Sequence, residues 1–363
     1  MLSLDVYKYI TSLAHIRADY LSLENIIDVD TVKSFAGSDF SIHVLTGHAE
    51  CQQVLTDTTF VQPKIADAIK SVIGEHAAEL GALDLFLKNN PVQMDGLAHR
   101  TTRQKFLQEY KAAQRATEPS LYALADGSFS NFIKNGSTAI TKEIASRYVD
   151  DVISLILSKT YGANLDATAW AGESSPIFEF FHAPKRLKEK GRQISELLKT
   201  LDRDPAATAD QRLPVLLSYL LQGRDPLIGA LAAYMHWLSE ITEGERAESV
   251  AQMTSRELFW RASPVNYTGR IATRNVALPN VSIKQGDQLI LVLPWANHCK
   301  ESSSKNSMAF GAGSHICGGQ ALALSIADAW LAALRSRLPD IDWGAHKKET
   351  VIPAVFRQYK GQR

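Results

Sequence analysis

The sequence predicts a mainly α protein with small β regions. Two observations carry this. Apolar residues recur at helical spacing over long stretches, most clearly in 142–162 and 213–238, while alternating segments such as 41–47 are short and few. The chain has 363 residues, 45% of them hydrophobic, enough to bury a large core. No internal repeat, low-complexity segment or linker divides it, so residues 1–363 are expected to form a single domain.

Taken in order, residues 1–40 read as one or two short helices. SIHVLTG (41–47) alternates like a strand, and HAECQQVLTD returns to helical spacing. Residues 60–90 are helical but irregular. In MDGLAHRTTRQKFLQEY, Asp95 can cap a helix, and His99 and Arg103 fall at i and i+4 on one face, where two donors can grip a pair of carboxylates. Taken alone, that pair is equally ordinary surface chemistry.

Two or three further helices follow. The one at 142–162 carries Ile144, Val149, Val152, Ile153, Ile156 and Leu157 on one side and reads as a core helix. Phe178, Phe180 and Phe181 form an aromatic cluster suited either to core packing or to lining a pocket, and the basic run at 185–190 reads as a solvated face.

Residues 213–238 form the longest apolar helical pattern, with Arg224 and Asp225 in its middle. Burying two charges there costs free energy unless they pair or face a cavity. The pair is therefore a candidate for orienting a substrate or for acid–base work; the alternative is pairing with neighbours on the helix's polar side. The last residues read as a long helix after residue 319 and a few short strands.

Composition narrows the partners. Net charge is zero, so no global field draws the chain to nucleic acid or acidic membranes. The first 25 residues hold scattered charges and no apolar run of the length a signal peptide or membrane anchor needs. Three distant cysteines, Cys51, Cys299 and Cys317, suggest no disulfide framework, and a cytoplasmic protein is expected.

The stretch FGAGSHICGGQALA (310–323) sets Cys317 at the end of a glycine-rich loop, just ahead of the last long helix. Gly311, Gly313 and Gly319 allow positive φ and close backbone approach around the sulfur. A thiolate at a helix N-terminus is stabilised by the helix dipole and is a soft ligand for iron.

The stretch fits F-G-x-G-x-H-x-C-x-G-x-x-L-A at every fixed position and resembles the heme-binding loop of the cytochrome P450 family. The resemblance spans roughly residue 40 to the C-terminus. It implies heme b (iron protoporphyrin IX) between the long central helix and the cysteine loop, with Cys317 as the axial iron ligand. It further implies that Phe310, Gly311 and Gly319 shape the loop and that His99, Arg103, Arg270 and His315 hold the heme propionates. Gln222, Gly223 and Pro226 would lie over the distal heme face, against substrate.

Three departures from the family pattern stand out. The central helix reads Gln222, Gly223, Arg224, Asp225, Pro226 where the family has A-G-x-[DE]-T. Proline has replaced the threonine, which places the usual proton relay in question. An Arg and a Pro here also resemble the peroxide-using branch of the family, in which an arginine binds a substrate carboxylate. The family's E-x-x-R becomes Glu257 with Trp260, and Arg261 comes one residue late, about 100° round a helix. The meander after Asn297 is a dozen residues, shorter than is usual on the face where a ferredoxin or reductase docks.

The resemblance implies an oxidoreductase acting on a small organic molecule in biosynthetic metabolism, by oxygen insertion or oxidative coupling. Electrons would come from a ferredoxin or reductase, or hydrogen peroxide would serve instead. The alternatives are a redox-neutral rearrangement or dehydration, or a non-catalytic heme- or ligand-binding protein.

Overall fold

A computed structural model describes residues 5, 6, 8, 9, 31–67, 81–134, 141–162, 189, 191, 192, 196, 213–299, 302–343, 349–352 and 358–361. Its elements, in chain order, begin with strands β1 (Val32–Phe35) and β2 (Ile42–Leu45), helix α1 (His48–Thr56) and strand β3 (Phe60–Val61). Helices α2 (Gly81–Asn89), α3 (Gly96–Lys134) and α4 (Thr141–Tyr161) follow. The central helix is α5 (Leu213–Ser218), a π-turn (Tyr219–Gly223) and α6 (Arg224–Glu240). Then come α7 (Glu243–Gln252), α8 (Ser255–Ala262), β4 (Tyr267–Ala272), β5 (Val276–Leu278), β6 (Val281–Ile283), β7 (Gln288–Val292), α9 (Leu293–Asn297), α10 (Gln320–Arg337), β8 (Glu349–Ile352) and β9 (Gln358–Gly361).

The mainly α expectation holds, with small sheets. Two local readings change. Residues 32–35 form a strand rather than helix, and α3 runs unbroken for 39 residues with Pro119 inside it, where several helices were expected. The aromatic cluster at 178–181 lies outside the described residues, as does all of the 185–190 run except position 189.

Most of the core is helical, and it fixes the helix that follows Cys317. On α10, Trp330 is fully buried, its ring 4.5 Å from Phe129 of α3 and 5.2 Å from Tyr148 of α4. The Tyr148 hydroxyl donates to the Ile326 carbonyl at 2.9 Å. At the far end of α10, Arg337 grips Asp126 of α3 with two hydrogen bonds of 2.7 and 2.9 Å. Aromatic packing in the middle and a bidentate pair at the end leave α10 little freedom to slide.

The five-stranded sheet has the order β1-β2-β7-β4-β3. β2 and β7 pair in parallel and the other neighbours are antiparallel; Arg270 of β4 stands opposite Leu289 of β7. Through Tyr267 to Arg270, β4 lines the site.

Asp287 locks β2 to β7, accepting backbone N–H bonds from Ser41 and Lys284, each 2.8 Å long, with His43 Nε2 3.0 Å away. Burial pushes its carboxyl pKa up, but these donors outweigh burial and hold it below the usual range. Because the folded value lies under an unfolded value of about 3.9, this stabilisation is complete above about pH 4 and is lost as pH falls through the lower folded value. Asp287→Asn is expected to cost about 2 kcal/mol at neutral pH. Denaturant titrations of the two proteins should converge as the medium is acidified; a gap that persists at low pH would assign the cost to packing instead.

Candidate active site

Cys317 sits in a loop that leads into α10. Gly311 and Gly313 have φ of 71° and 66°. Gly313 is required on a second count, because a Cβ there would collide with the Leu55 carbonyl oxygen of α1. Gly318, which drew no attention in the sequence, backs onto Tyr110 of α3, whose ring would stand 3.1 Å from an added Cβ. Gly319 departs from expectation: its φ is −86°, and it serves as the residue that opens α10 rather than as a left-handed turn.

The Cys317 N–H donates to the Phe310 carbonyl at 2.8 Å, and Phe310 packs on Phe259 of α8 with ring centroids 4.7 Å apart. Burial pushes the Cys317 thiol pKa up. The N–H groups of Gly319 and Gln320 and the charge of Arg103 pull it down without overcoming burial. Here the helix terminus alone does not make a thiolate; a metal cation at the sulfur would complete the ionisation.

The sulfur faces a cavity of about 330 Å³. Its floor is Phe310, Gly311 and Cys317 to Gly319. Its roof is Ser218, Tyr219, Gln222, Gly223, Pro226 and Leu227 of the central helix, and α3 and β4 form its sides.

His99, Arg103, Arg270 and His315 all line this cavity. The His99 and His315 rings are in contact at a tilt of 33°, their centroids 4.2 Å apart. His99 is buried, and its Nε2 has no hydrogen-bond partner. Asp95 reaches His315 Nε2 at 3.3 Å and accepts the Gln62 N–H at 3.2 Å. Burial, aided by His99 and Arg270, pushes the His315 pKa down to about 4, and burial pushes Arg270 down to about 10 despite Asp95. Arg103 and Arg270, with the two imidazoles beside them, face one carboxylate, Asp95, an arrangement suited to an anion.

The central helix corrects the expectation for Arg224 and Asp225. Neither lines the cavity. Arg224 Nε and Nη2 donate to Asp150 of α4 at 2.6 and 2.9 Å, and Nη1 donates to Asp225 at 3.2 Å. All three residues are buried. Burial works against the Arg224 charge, but the two carboxylates outweigh it and hold its pKa above the usual value.

The π-turn explains this orientation. The Arg224 N–H reaches back to the Tyr219 carbonyl, five residues away, so the turn holds one extra residue just before Pro226, which has no N–H to give. Ser218, Gln222 and Pro226, four apart, thereby stay in line on the cavity side while Arg224 and Asp225 turn to α4. The arginine that would have matched the carboxylate-binding position of the peroxide-using branch is thus committed to a helix brace.

The second departure is also rebuilt. Arg261, one residue late, still reaches Glu257 with bonds of 3.0 and 2.8 Å, since i and i+4 share a helix face. Trp260 fills the arginine's place and donates through Nε1 to the Asn297 carbonyl at 2.7 Å, its ring stacked on His298. The Asn297 side chain joins the Ser263 hydroxyl to the Met308 N–H, each at 2.7 Å. Ser263 has φ 40°, a left-handed turn that leads into the cavity-lining Pro264 and Val265.

A neutral hydrogen-bond chain therefore ties α8 to the start of the cysteine loop. Trp260→Phe keeps a ring against His298 but strips a donor from the buried Asn297 carbonyl. The expected loss is about 1–3 kcal/mol in denaturant unfolding. An unchanged midpoint would mean that Trp260 contributes only by packing.

Asn90, Tyr110, Asp150 and Ser218 were not singled out from the sequence. Asp150 alone left a signal, as an acid set between Val149 and Val152 at the edge of an apolar stripe.

A single cysteine lining a cavity, a long broken helix across from it and cationic side chains beside it would suit a planar, anionic metal cofactor held through sulfur. The residues present fit heme, and the orphaned His99 Nε2 and the underpaired Arg270 fit its two propionates. No protein-family model matches the chain.

Among curated proteins it is similar to cytochrome P450 109 of Bacillus spizizenii, 27% identical over 199 residues, covering 50% of this chain and 49% of that protein. It is also similar to a putative cytochrome P450 140 of Mycobacterium bovis, 30% identical over 100 residues, 24% of this chain and 23% of the other. The matched region thus spans about half the length of the first relative and a quarter of the second.

Among solved structures, P450BioI in complex with a hexadec-9Z-enoic acid ligated acyl carrier protein superposes with a TM-score of 0.69 at 15% identity, covering 98% of this chain and 96% of that one. Cytochrome P450 TxtC, described as carrying out sequential thaxtomin hydroxylation, gives 0.69 at 17% identity over 96% and 97%. The mycinamicin VIII C21 methyl hydroxylase MycCI of Micromonospora griseorubida gives 0.67 at 17% over 92% and 93%. These structures share the fold. The sequence matches and the cysteine loop agree with that likeness to cytochromes P450, and relatives of this kind imply a heme cofactor. Among the described residues no helix is long and apolar enough to cross a membrane.

Proposed function

We propose that the chain is a cytoplasmic heme b oxidoreductase that inserts oxygen into, or oxidatively couples, a small organic molecule in biosynthetic metabolism, with residues 1–363 acting as one unit. The observation that carries this reading is the Cys317 sulfur facing a cavity with an underpaired cationic edge. When bound, heme supplies the oxidising chemistry. The chain's own residues do the rest. Cys317 holds the iron, the N–H groups of Gly319 and Gln320 steady its sulfur, and His99, Arg103, Arg270 and His315 take the propionates.

The roof favours hydrogen peroxide as oxidant. Pro226 has no donor to give, and Asp225 is tied to Arg224 on the far side of the helix, so the family's acid and alcohol do not meet at the cavity. With peroxide, one oxygen enters the substrate and the other leaves as water, so no external electrons are needed. The same observation supports a redox-neutral rearrangement or dehydration as the second reading. A ferredoxin-driven route would need a proton path through Ser218, Tyr219 or Gln222.

The test is turnover of a library of small biosynthetic intermediates by purified protein, once with hydrogen peroxide and once with a surrogate ferredoxin, its reductase and NADPH. Product with peroxide alone supports the proposal. Product that appears only with the reductase reverses the choice of oxidant, and isomerised or dehydrated product without either supports the second reading.

A further inference from the structure

We infer that Gln222 presents a fixed amide N–H donor to the substrate, so the cavity selects an apolar molecule that carries a neutral carbonyl oxygen. The inference rests on the cavity being the substrate site of the proposed oxidoreductase.

An amide side chain normally offers a donor or an acceptor according to its flip, but here the flip is dictated. The Val92 backbone N–H can only donate, and it bonds Asn90 Oδ1 at 3.0 Å. The Asn90 oxygen is thereby identified, and its Nδ2 must be the atom that donates to Gln222 Oε1 at 2.9 Å. Gln222 is left with Nε2 and its two hydrogens, and Nε2 takes no acceptor among the described residues.

Asn90 is fully buried and opens the 3₁₀ turn Pro91–Gln93, so the relay starts from backbone that cannot rotate to reverse it. Gln222 lines the roof, held there by the π-turn.

Charge decides between a carbonyl and a carboxylate. Arg224, the cation nearest in sequence, is spent on Asp150, and the cavity's own cations gather at the propionate edge. A carboxylate beside Gln222 would be desolvated with only neutral donors, whereas a ketone, ester or amide oxygen would be satisfied by one N–H. Ser218 of the roof is already bonded to Tyr110 and to the Val215 carbonyl, and alongside it and Tyr219 the roof and walls carry the apolar Ile153, Ile156, Pro226 and Leu227.

The experiment uses shape-matched pairs, 1-tetralone with tetralin and 1-indanone with indane, titrated into the purified full chain by calorimetry, with the Soret band recorded in parallel. The ketones should bind about tenfold tighter than their hydrocarbons, the discrimination expected of one neutral hydrogen bond in a dry site. Gln222→Leu should bring each pair within about twofold by weakening the ketone. Gln222→Glu keeps an acceptor for Asn90 but replaces the free donor with a carboxylate, and it should penalise the ketones while the hydrocarbons change little.

Equal affinities within each pair, no measurable ketone binding, or discrimination that survives Gln222→Leu would each overturn the inference. Because calorimetry does not depend on heme chemistry, a protein without a heme–thiolate spectrum that still discriminates would sink the oxidoreductase reading and leave the donor assignment standing. The converse result would do the opposite.

Discussion

Cys317→Ala is expected to abolish the red-shifted Soret band that the reduced, carbon monoxide-treated protein should display. The sulfur is the group at the cavity floor that the loop is built to present: Gly313 has no room for a side chain, Gly318 lies against Tyr110, and the nearby N–H groups of Gly319 and Gln320 pull the thiol pKa down. No neighbouring side chain can replace it from the same direction, because Phe310 and Ile316 are apolar and His315 is engaged with Asp95 at the edge. Some heme can still enter, since His99, Arg103 and Arg270 do not depend on the cysteine. The measurement is therefore the band position, with heme content measured beside it. A mutant that keeps the red-shifted band would remove Cys317 from the metal site and with it the basis of the proposed chemistry.

Arg224→Ala is expected to destabilise the protein by about 3–5 kcal/mol, the cost of leaving a buried carboxylate without its cation. Asp150 is 4% exposed and takes two short bonds from Arg224, while Asp225, 6% exposed, takes a third. Nothing in this arrangement reaches the cavity, so turnover and ligand affinity per folded, heme-loaded molecule should stay within about twofold of wild type. Denaturant unfolding checks the first part and kinetics normalised to heme the second. Arg224→Ala that folds normally but loses substrate affinity would restore the pair to the site.

The same pair shows where sequence reasoning reached its limit. Two charges in an apolar helix must pair or face a cavity, and that much is local physics. Which of the two happens depends on the helix's rotation, and a uniform 3.6-residue period carries the wrong phase past a π-turn. Pro226 was visible as a helix disturbance. Whether the chain would answer it with a kink or with an extra residue per turn was not, because the answer depends on what packs on each side. Arg261 is a smaller case: one position late in the pattern, it pairs with Glu257 anyway, because helix faces tolerate that shift.

The sequence by itself determined the α-rich class, the strand at 42–45, the helices over 48–56 and 141–161, and the cysteine at the mouth of the last long helix. These are short-range or strongly patterned features, set by hydrophobic period, glycine conformation and residue chemistry over a few turns of chain. Only the tertiary structure decided that Asp150 takes Arg224, that Trp260 and Asn297 brace the loop where an arginine was expected, and that Asn90 sets the polarity of Gln222. Each of those partners lies 37 to 132 residues from its mate. At such separations a polar side chain's partner is chosen by burial, since a donor or charge withdrawn from water takes whichever complementary group the packing brings within reach.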